Sequence, residues 1–329
     1  MSELHKFLFD GLPVRGMVVR LTETWVEMLR RRASNTESGA YAPEVRQLLG
    51  EMVAAAALMQ ANIKFDGALI VQISGDGPVK LAVAEVQPDL AMRATATVIG
   101  AVAPGSSLSA MVNVANLGRC AITLDPKNRF PGQQPYQGVV PLFGDRGEKL
   151  EKLSDVLQHY MLQSEQLDTT LVLAANDTLA AGLLIQRLPT QGSGNLPADG
   201  QRSPNEDEIG INAHYNRIAL LASTLKPEEL LGLDVDTILR RLFWEEAITR
   251  FEPQSGDTGP RFACSCSREK VGAMIVSLGV EEADSIIAER GDIEVACEFC
   301  GVQYRFDPID AAQLFRPHSL HLDAEGPAH

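Results

Sequence analysis

The chain has 329 residues, 45% of them apolar and 22% charged, with a formal net charge of −14. This is ordinary globular composition with room for two domains, and it excludes a disordered tail or a membrane protein as the bulk of the chain. A surface this acidic repels nucleic acid and anionic membranes unless a basic patch compensates. The densest cationic run, Arg30, Arg31 and Arg32, reads as the solvated end of a helix. The opening "MSELHKFLFDGLP" has no basic stretch followed by a long apolar one, and no later run approaches the roughly 18 apolar residues of a spanning helix. A cytoplasmic home is expected, with reduced thiols and no membrane or nucleic-acid partner.

Along the chain, "PEVRQLLGEMVAAAALMQAN" carries Val45, Leu48, Leu49, Met52, Val53 and Ala56 at helical spacing behind a proline, and predicts a buried helix. "GALIVQISGDGPVKLAVAEV" places two β-prone runs around a glycine-bearing turn and predicts a hairpin. The glycines of "SGDGP" lack the lysine and Ser/Thr of a phosphate-cradling loop, so they read as a turn. "RATATVI" and "RCAITLD" have strand-like patterns, "EKLEKLSDVLQHYMLQSEQ" returns to helical period from Glu148, and "TTLVLAA" and "GLLIQRLP" read as strands. Mixed elements without regular β-α alternation predict an α+β domain over 1–190 with a mainly antiparallel sheet. No nucleophile elbow, HExxH helix or similar signature is present, and the six histidines are scattered, so no enzyme is expected.

Residues 191–205 have the Gly, Pro, Ser and polar composition of a flexible insertion. Next come amphipathic helical segments over 206–250, broken by "KPEE" and "GLD" and studded with Leu, Ile, Phe243 and Trp244. Such helices must bury their apolar stripes somewhere, either as a helical subdomain or as a linker docked on another surface.

Residues 251–312 hold four of the five cysteines: Cys264 and Cys266 as Cys-x-Cys, then Cys297 and Cys300 as Cys-x-x-Cys. Two short chelating pairs separated by a foldable insert suit tetrahedral zinc, one ion per chain, because each pair spans one edge of the tetrahedron. The insert predicts a helix with Val271, Met274, Ile275 and Leu278 on one face, and a second helix stopped by Gly291. It closes on a hairpin in which Gly301 takes the positive-φ position of a zinc knuckle. Four thiolates leave no open coordination position, so zinc catalysis is not expected. Over 261–310 five Lys/Arg face ten Asp/Glu, which disfavours a ribbon gripping phosphate. Two readings remain from the residues. In one the module is a constitutive zinc-stapled adaptor or nucleic-acid module. In the other it is a redox switch, because cysteines two and three positions apart can also bond to each other. Losing two ligands would release an ion that contributes roughly 10–16 kcal/mol to folding in small metal-folded modules.

"FACSCSREK" and "ACEFCGVQYRF", together with "GPVKLAVAEV" (77–86), "PYQGVVPL" (135–142) and "AAGLLIQRLP" (180–189), closely resemble the bacterial 33 kDa chaperonin family, the redox-regulated heat-shock holdases. The resemblance covers most of residues 5–310. It implies an ATP-independent chaperone held inactive while zinc is bound to reduced Cys264, Cys266, Cys297 and Cys300. It also implies that oxidant under unfolding conditions forms two disulfides, expels zinc, loosens the linker, exposes surface for unfolded clients and promotes dimerisation. Proximity within each pair places those disulfides at Cys264–Cys266 and Cys297–Cys300. Cys120, within "RCAITLD", stays outside the switch and reads as a small buried apolar residue. Stretch 192–205 and the tail, 313–329, look like additions to the family core, which then comprises an α+β domain, a helical linker and a small zinc domain. The linker is expected to dock its Leu, Ile, Phe243 and Trp244 side chains on the first domain while zinc holds the module folded.

Overall fold

The computed structural model describes residues 1–34, 39–130, 132–188 and 204–316. All but the last two residues of the 191–205 insertion, and the tail beyond Arg316, lie outside the described residues. Elements follow in the order β1 (Glu3–Phe9), β2 (Val14–Leu21), α1 (Glu23–Ala33), α2 (Pro43–Asn62), β3 (Gly67–Ser74), β4 (Val79–Val86), β5 (Ala91–Val98) and α3 (Leu108–Val112). Then come β6 (Arg119–Pro126), β7 (Tyr136–Pro141), α4 (Leu153–Glu165), β8 (Thr169–Ala175), β9 (Ala180–Arg187), α5 (Pro204–Ser223), α6 (Pro227–Gly232) and α7 (Val235–Phe243). Three short strands follow, β10 (Ile248–Arg250), β11 (Gln254–Ser255) and β12 (Arg261–Phe262). The C-terminal part holds α8 (Arg268–Leu278), α9 (Val280–Arg290), β13 (Ile293–Ala296), β14 (Gln303–Phe306) and α10 (Pro308–Leu314). The chain divides into two compact units, Met1–Ala263 and Cys264–His329.

In the first unit, one sheet has the order β10-β1-β2-β9-β8 with β11 also on β1, and the other the order β12-β5-β4-β3-β6-β7. All pairings are antiparallel except β12 on β5. The architecture is α+β, as the mixed sequence patterns predict. Helix α2 is buried from Val45 to Gln60 except at Arg46, Gln47 and Glu51, and it packs against strands of both sheets. A helix apolar all round belongs in an interior, and four successive alanines, Ala54 to Ala57, leave room for a sheet on either side.

Strand β2 serves two cores because its side chains alternate across the sheet. Met17, Val19 and Leu21 join the core around α2, whereas Val14 and Val18 point the other way. Between these two, Gly16 leaves space for the Phe7 ring, since a Cβ there would meet ring atoms at 2.1 Å. This second face is roofed by the linker. Tyr215, Ile218, Ala222, Leu225, Leu230, Val235, Ile238, Leu239, Leu242 and Phe243 are all buried with Phe7, Phe9, Leu183 and Ile185. Arg20, on the same face, donates from Nη1 to the Leu230 and Leu233 carbonyls, both at 2.7 Å, and from Nη2 to that of Leu231 at 3.4 Å. It thereby satisfies carbonyls at the C-terminal end of α6 that the helix itself leaves open.

Four expectations are corrected. Trp244 does not dock: it is 74% exposed, while Phe243 is 2% exposed. The buried stripe of α7 runs Val235, Ile238, Leu239, Leu242, Phe243, and the next position lies about 100° further round the helix. Helix α4 begins at Leu153, not Glu148, because Lys149 bridges to Phe143 in extended backbone. Of the arginines that end α1, Arg30 is exposed but Arg31 and Arg32 are only partly solvated, with the Arg31 guanidinium 4.6 Å from the Phe262 ring centroid and that of Arg32 4.1 Å from the Tyr41 ring. In α8, Ile275 is buried but Met274 and Leu278 are 45% and 54% exposed. There Gly272 admits the Leu314 side chain, so the covered sector turns toward Gly272 and Ile275.

Candidate metal centre

Each cysteine pair stands at a turn that the local sequence specifies. Cys264 and Cys266 lie in the extended approach to α8, whose N-cap Ser267 accepts from the Lys270 amide. The Lys270 ammonium reaches back to the Ser265 carbonyl at 2.6 Å and fixes the residue between the two thiols. Cys297 and Cys300 lie in the β13–β14 connection. There Gly301, at φ 71°, donates to the Cys297 carbonyl at 2.7 Å, and the Cys297 amide donates to Val302 at 2.9 Å. That left-handed conformation suits glycine, so one residue turns the chain and aims both thiols inward.

The turns bring together the four thiols the sequence singles out, with all Sγ atoms within 4.8 Å of one another. Cys264 Sγ is 3.7 Å from Cys297 Sγ, and Cys266 Sγ is 3.3 Å from Cys300 Sγ. Zinc–thiolate bonds of about 2.3 Å in tetrahedral array put sulfurs about 3.8 Å apart, so the donor set and its spacing fit such an ion. No disulfide joins any of the five cysteines.

Tyr304, on β14, was not foreseen: its hydroxyl donates to Cys266 Sγ at 3.1 Å. Its signal was legible in the alternation of "VQYRF", which turns Tyr304 to the face opposite Gln303 and Arg305. Burial opposes ionisation of Cys266, but hydrogen bonds from Tyr304 and the neighbouring thiols outweigh it and bring this thiol down to about 7. Burial instead pushes Cys297 and Cys300 up. The bond to Cys266, then burial, raises the Tyr304 phenol, which keeps its proton as donor. Cys120, fully buried in β6, is pushed up to about 12 by burial and belongs to the core around α2.

The apolar core of this module is small. Among the described residues Ile275, Ala283, Ile293, Phe306 and Ala311 are buried, with partly buried side chains such as Val271, Ile287 and Leu314 packed against them and Arg268 stacked 4.1 Å over the Phe306 ring. A unit this small ordinarily needs a metal or a crosslink to stay folded.

The family model described as Hsp33 protein matches residues 2–307. The chain belongs to the Hsp33 family. The 33 kDa chaperonin of Chromobacterium violaceum is 44% identical over 314 residues, 95% of this chain and 94% of the relative. That of Methylobacillus flagellatus is 40% identical over 315 residues, 95% and 94% of the two chains. The crystal structure of the Thermotoga maritima Hsp33 homologue superposes with a TM-score of 0.69 over 95% of this chain and 98% of that one, at 19% identity, which is a likeness of fold. A chaperone role follows for this Hsp33-family chain, whose four clustered thiols are suited to a metal and to redox chemistry. Among its described residues no helix is long and apolar enough to cross a membrane.

Proposed function

We propose that the protein is a cytoplasmic, redox-regulated, ATP-independent holdase whose zinc-thiolate module restrains the linker until oxidant arrives. The observation that carries this reading is the gathering of four thiols in a module with a five-residue core, so that thiol chemistry and the folding of the module are one equilibrium. When bound, the ion would neutralise thiolate charge and tie Cys264, Cys266, Cys297 and Cys300 together.

The clustered sulfurs are the nucleophiles toward peroxide or hypochlorous acid. Each cysteine pair loses two electrons and two protons to one equivalent of oxidant, which leaves as water, with chloride when the oxidant is hypochlorous acid. Once the cluster loosens, loop closure over one or two intervening residues is favoured over closure across thirty or more, giving Cys264–Cys266 and Cys297–Cys300. With the module unfolded, the linker helices undock from β1, β2 and β9 and expose apolar surface on both sides, where unfolded clients bind without nucleotide. The oxidised chains pair as homodimers.

Aggregation suppression measured alongside zinc content, before and after peroxide at mild heat, tests this reading. Suppression should rise as one zinc per chain is lost and reverse on reduction with zinc. Equal suppression by the reduced zinc form, or zinc loss without any gain, would sink it. Peptide mapping should find the two adjacent-pair disulfides and Cys120 unmodified. A dominant Cys264–Cys297 or Cys266–Cys300 link would overturn the pairing.

A further inference from the structure

The outer edge of β5 is closed by two small devices. An edge strand of eight residues presents a row of unpaired backbone groups, the template onto which another chain adds. Over its first residues β5 is covered by β12, a parallel partner of two residues with Arg261 opposite Ala91 and Phe262 opposite Met92. The Arg261 amide donates to the Leu90 carbonyl and the Ala263 amide to that of Met92, both at 3.1 Å. Further along, the Tyr41 hydroxyl serves Ala96 twice, accepting from its N–H at 2.8 Å and donating to its carbonyl at 3.0 Å.

The seat under β12 also reads side chains. The Arg261 guanidinium donates to the Asp89 carbonyl at 2.6 Å and pairs with the Asp89 carboxylate. Phe262 packs on the core around α2, with the Arg31 guanidinium above its ring. The Thr24 hydroxyl holds the Pro260 carbonyl at 2.8 Å. A cation followed by an aromatic residue, both on extended backbone, is therefore what this edge accepts. A pairing of two residues is weak, and a single residue, Ala263, separates the end of β12 from Cys264. The segment is anchored from its far end only while the thiol cluster is closed.

We infer that the β5 edge is a strand-addition seat for extended client segments bearing a cationic then an aromatic residue, occupied in the resting protein by the chain's own β12. This rests on the holdase reading and adds to it a client site separate from the linker face. Opening of the cluster removes the C-terminal anchor of β12, and a client segment of like chemistry takes its place on Leu90 and Met92.

The test uses the full chain, reduced with zinc and peroxide-oxidised, with a fluorescent peptide TGPRFAS copied from 258–263 plus a terminal serine. The peptide should bind the oxidised form at least about tenfold more tightly than the reduced form, and unfolding client should displace it. Methylating the peptide nitrogens of its arginine and its alanine removes two backbone hydrogen bonds and should weaken binding about tenfold. Hydrogen exchange should find the Arg261 and Ala263 amides losing protection on oxidation. Equal binding to both forms, indifference to N-methylation, or undiminished protection of those amides would overturn the seat. If the same oxidised sample still suppresses aggregation, the holdase reading survives that failure. An oxidised sample that does not suppress aggregation overturns both.

Discussion

Phe243 and Trp244 are neighbours with opposite expected roles, and the pair makes a sharp test of linker docking. The Phe243 ring lies edge-on to Phe9 at 5.0 Å between centroids and tilted against Phe7 at 6.3 Å, and it is 2% exposed. Truncating a buried phenylalanine costs about 3–5 kcal/mol. Helix α7 ends at Phe243 and can shift partly into the space, so the lower end of that range applies. At 1.4 kcal/mol per tenfold, Phe243→Ala weakens docking on the order of 100-fold. Hydrogen exchange of 225–243 in the reduced, zinc-bound protein should accelerate by that factor, and the reduced protein should begin to suppress aggregation. Trp244→Ala removes a side chain that is 74% exposed and should change exchange by no more than about twofold. Equal acceleration by the two variants, or none by Phe243→Ala, would refute the docking scheme.

Arg20→Met removes three bonds to α6 carbonyls. Part of their worth is offset by the burial that already depresses the arginine pKa, so about tenfold faster exchange over 225–233 is expected. Chelation of the reduced protein should release the amides of β13 and β14 while those of α2 stay protected, checked by the same exchange measurement. Partial burial raises the Glu51 carboxyl from near 4.5 to about 7, against a lowering hydrogen bond from Gln47. Because the folded state then binds the proton more tightly, stability falls as pH rises from about 4.5 to about 7. Glu51→Gln should therefore raise the melting temperature at pH 8 and leave it little changed at pH 4, which thermal scans at the two values decide.

The α2 helix, the β3–β4 hairpin and the strands β8 and β9 were legible because periodicity reports burial directly, and the four-thiol centre was legible because cysteine spacing reports chelation. Trp244 misled because its neighbours are apolar and nothing in composition says where a helical stripe ends. The register of α8 depended on Leu314 entering above Gly272, a contact 42 residues away in sequence. The sequence reading placed 251–312 with the zinc module, but β11 pairs with β1 and β12 with β5. Two-residue strands carry no period from which such partners could be read. Tyr304 could be placed on a face by alternation, but its hydroxyl bond to Cys266 depends on the hairpin closing over the thiols.

The two tryptophans of the chain give it a pair of optical reporters with different subjects. Trp25 is 1% exposed and donates from its indole to the Asn176 carbonyl in the core around α2, whereas Trp244 already stands in water beside the last turn of the linker. Emission from the first can only move to longer wavelength, and only if that core opens. Emission from the second can only move to shorter wavelength, when something apolar covers it. Activation by linker release followed by client capture would thus appear as a blue shift that Trp244→Phe abolishes, while damage to the first unit by excess oxidant would appear as a red shift that survives the same substitution.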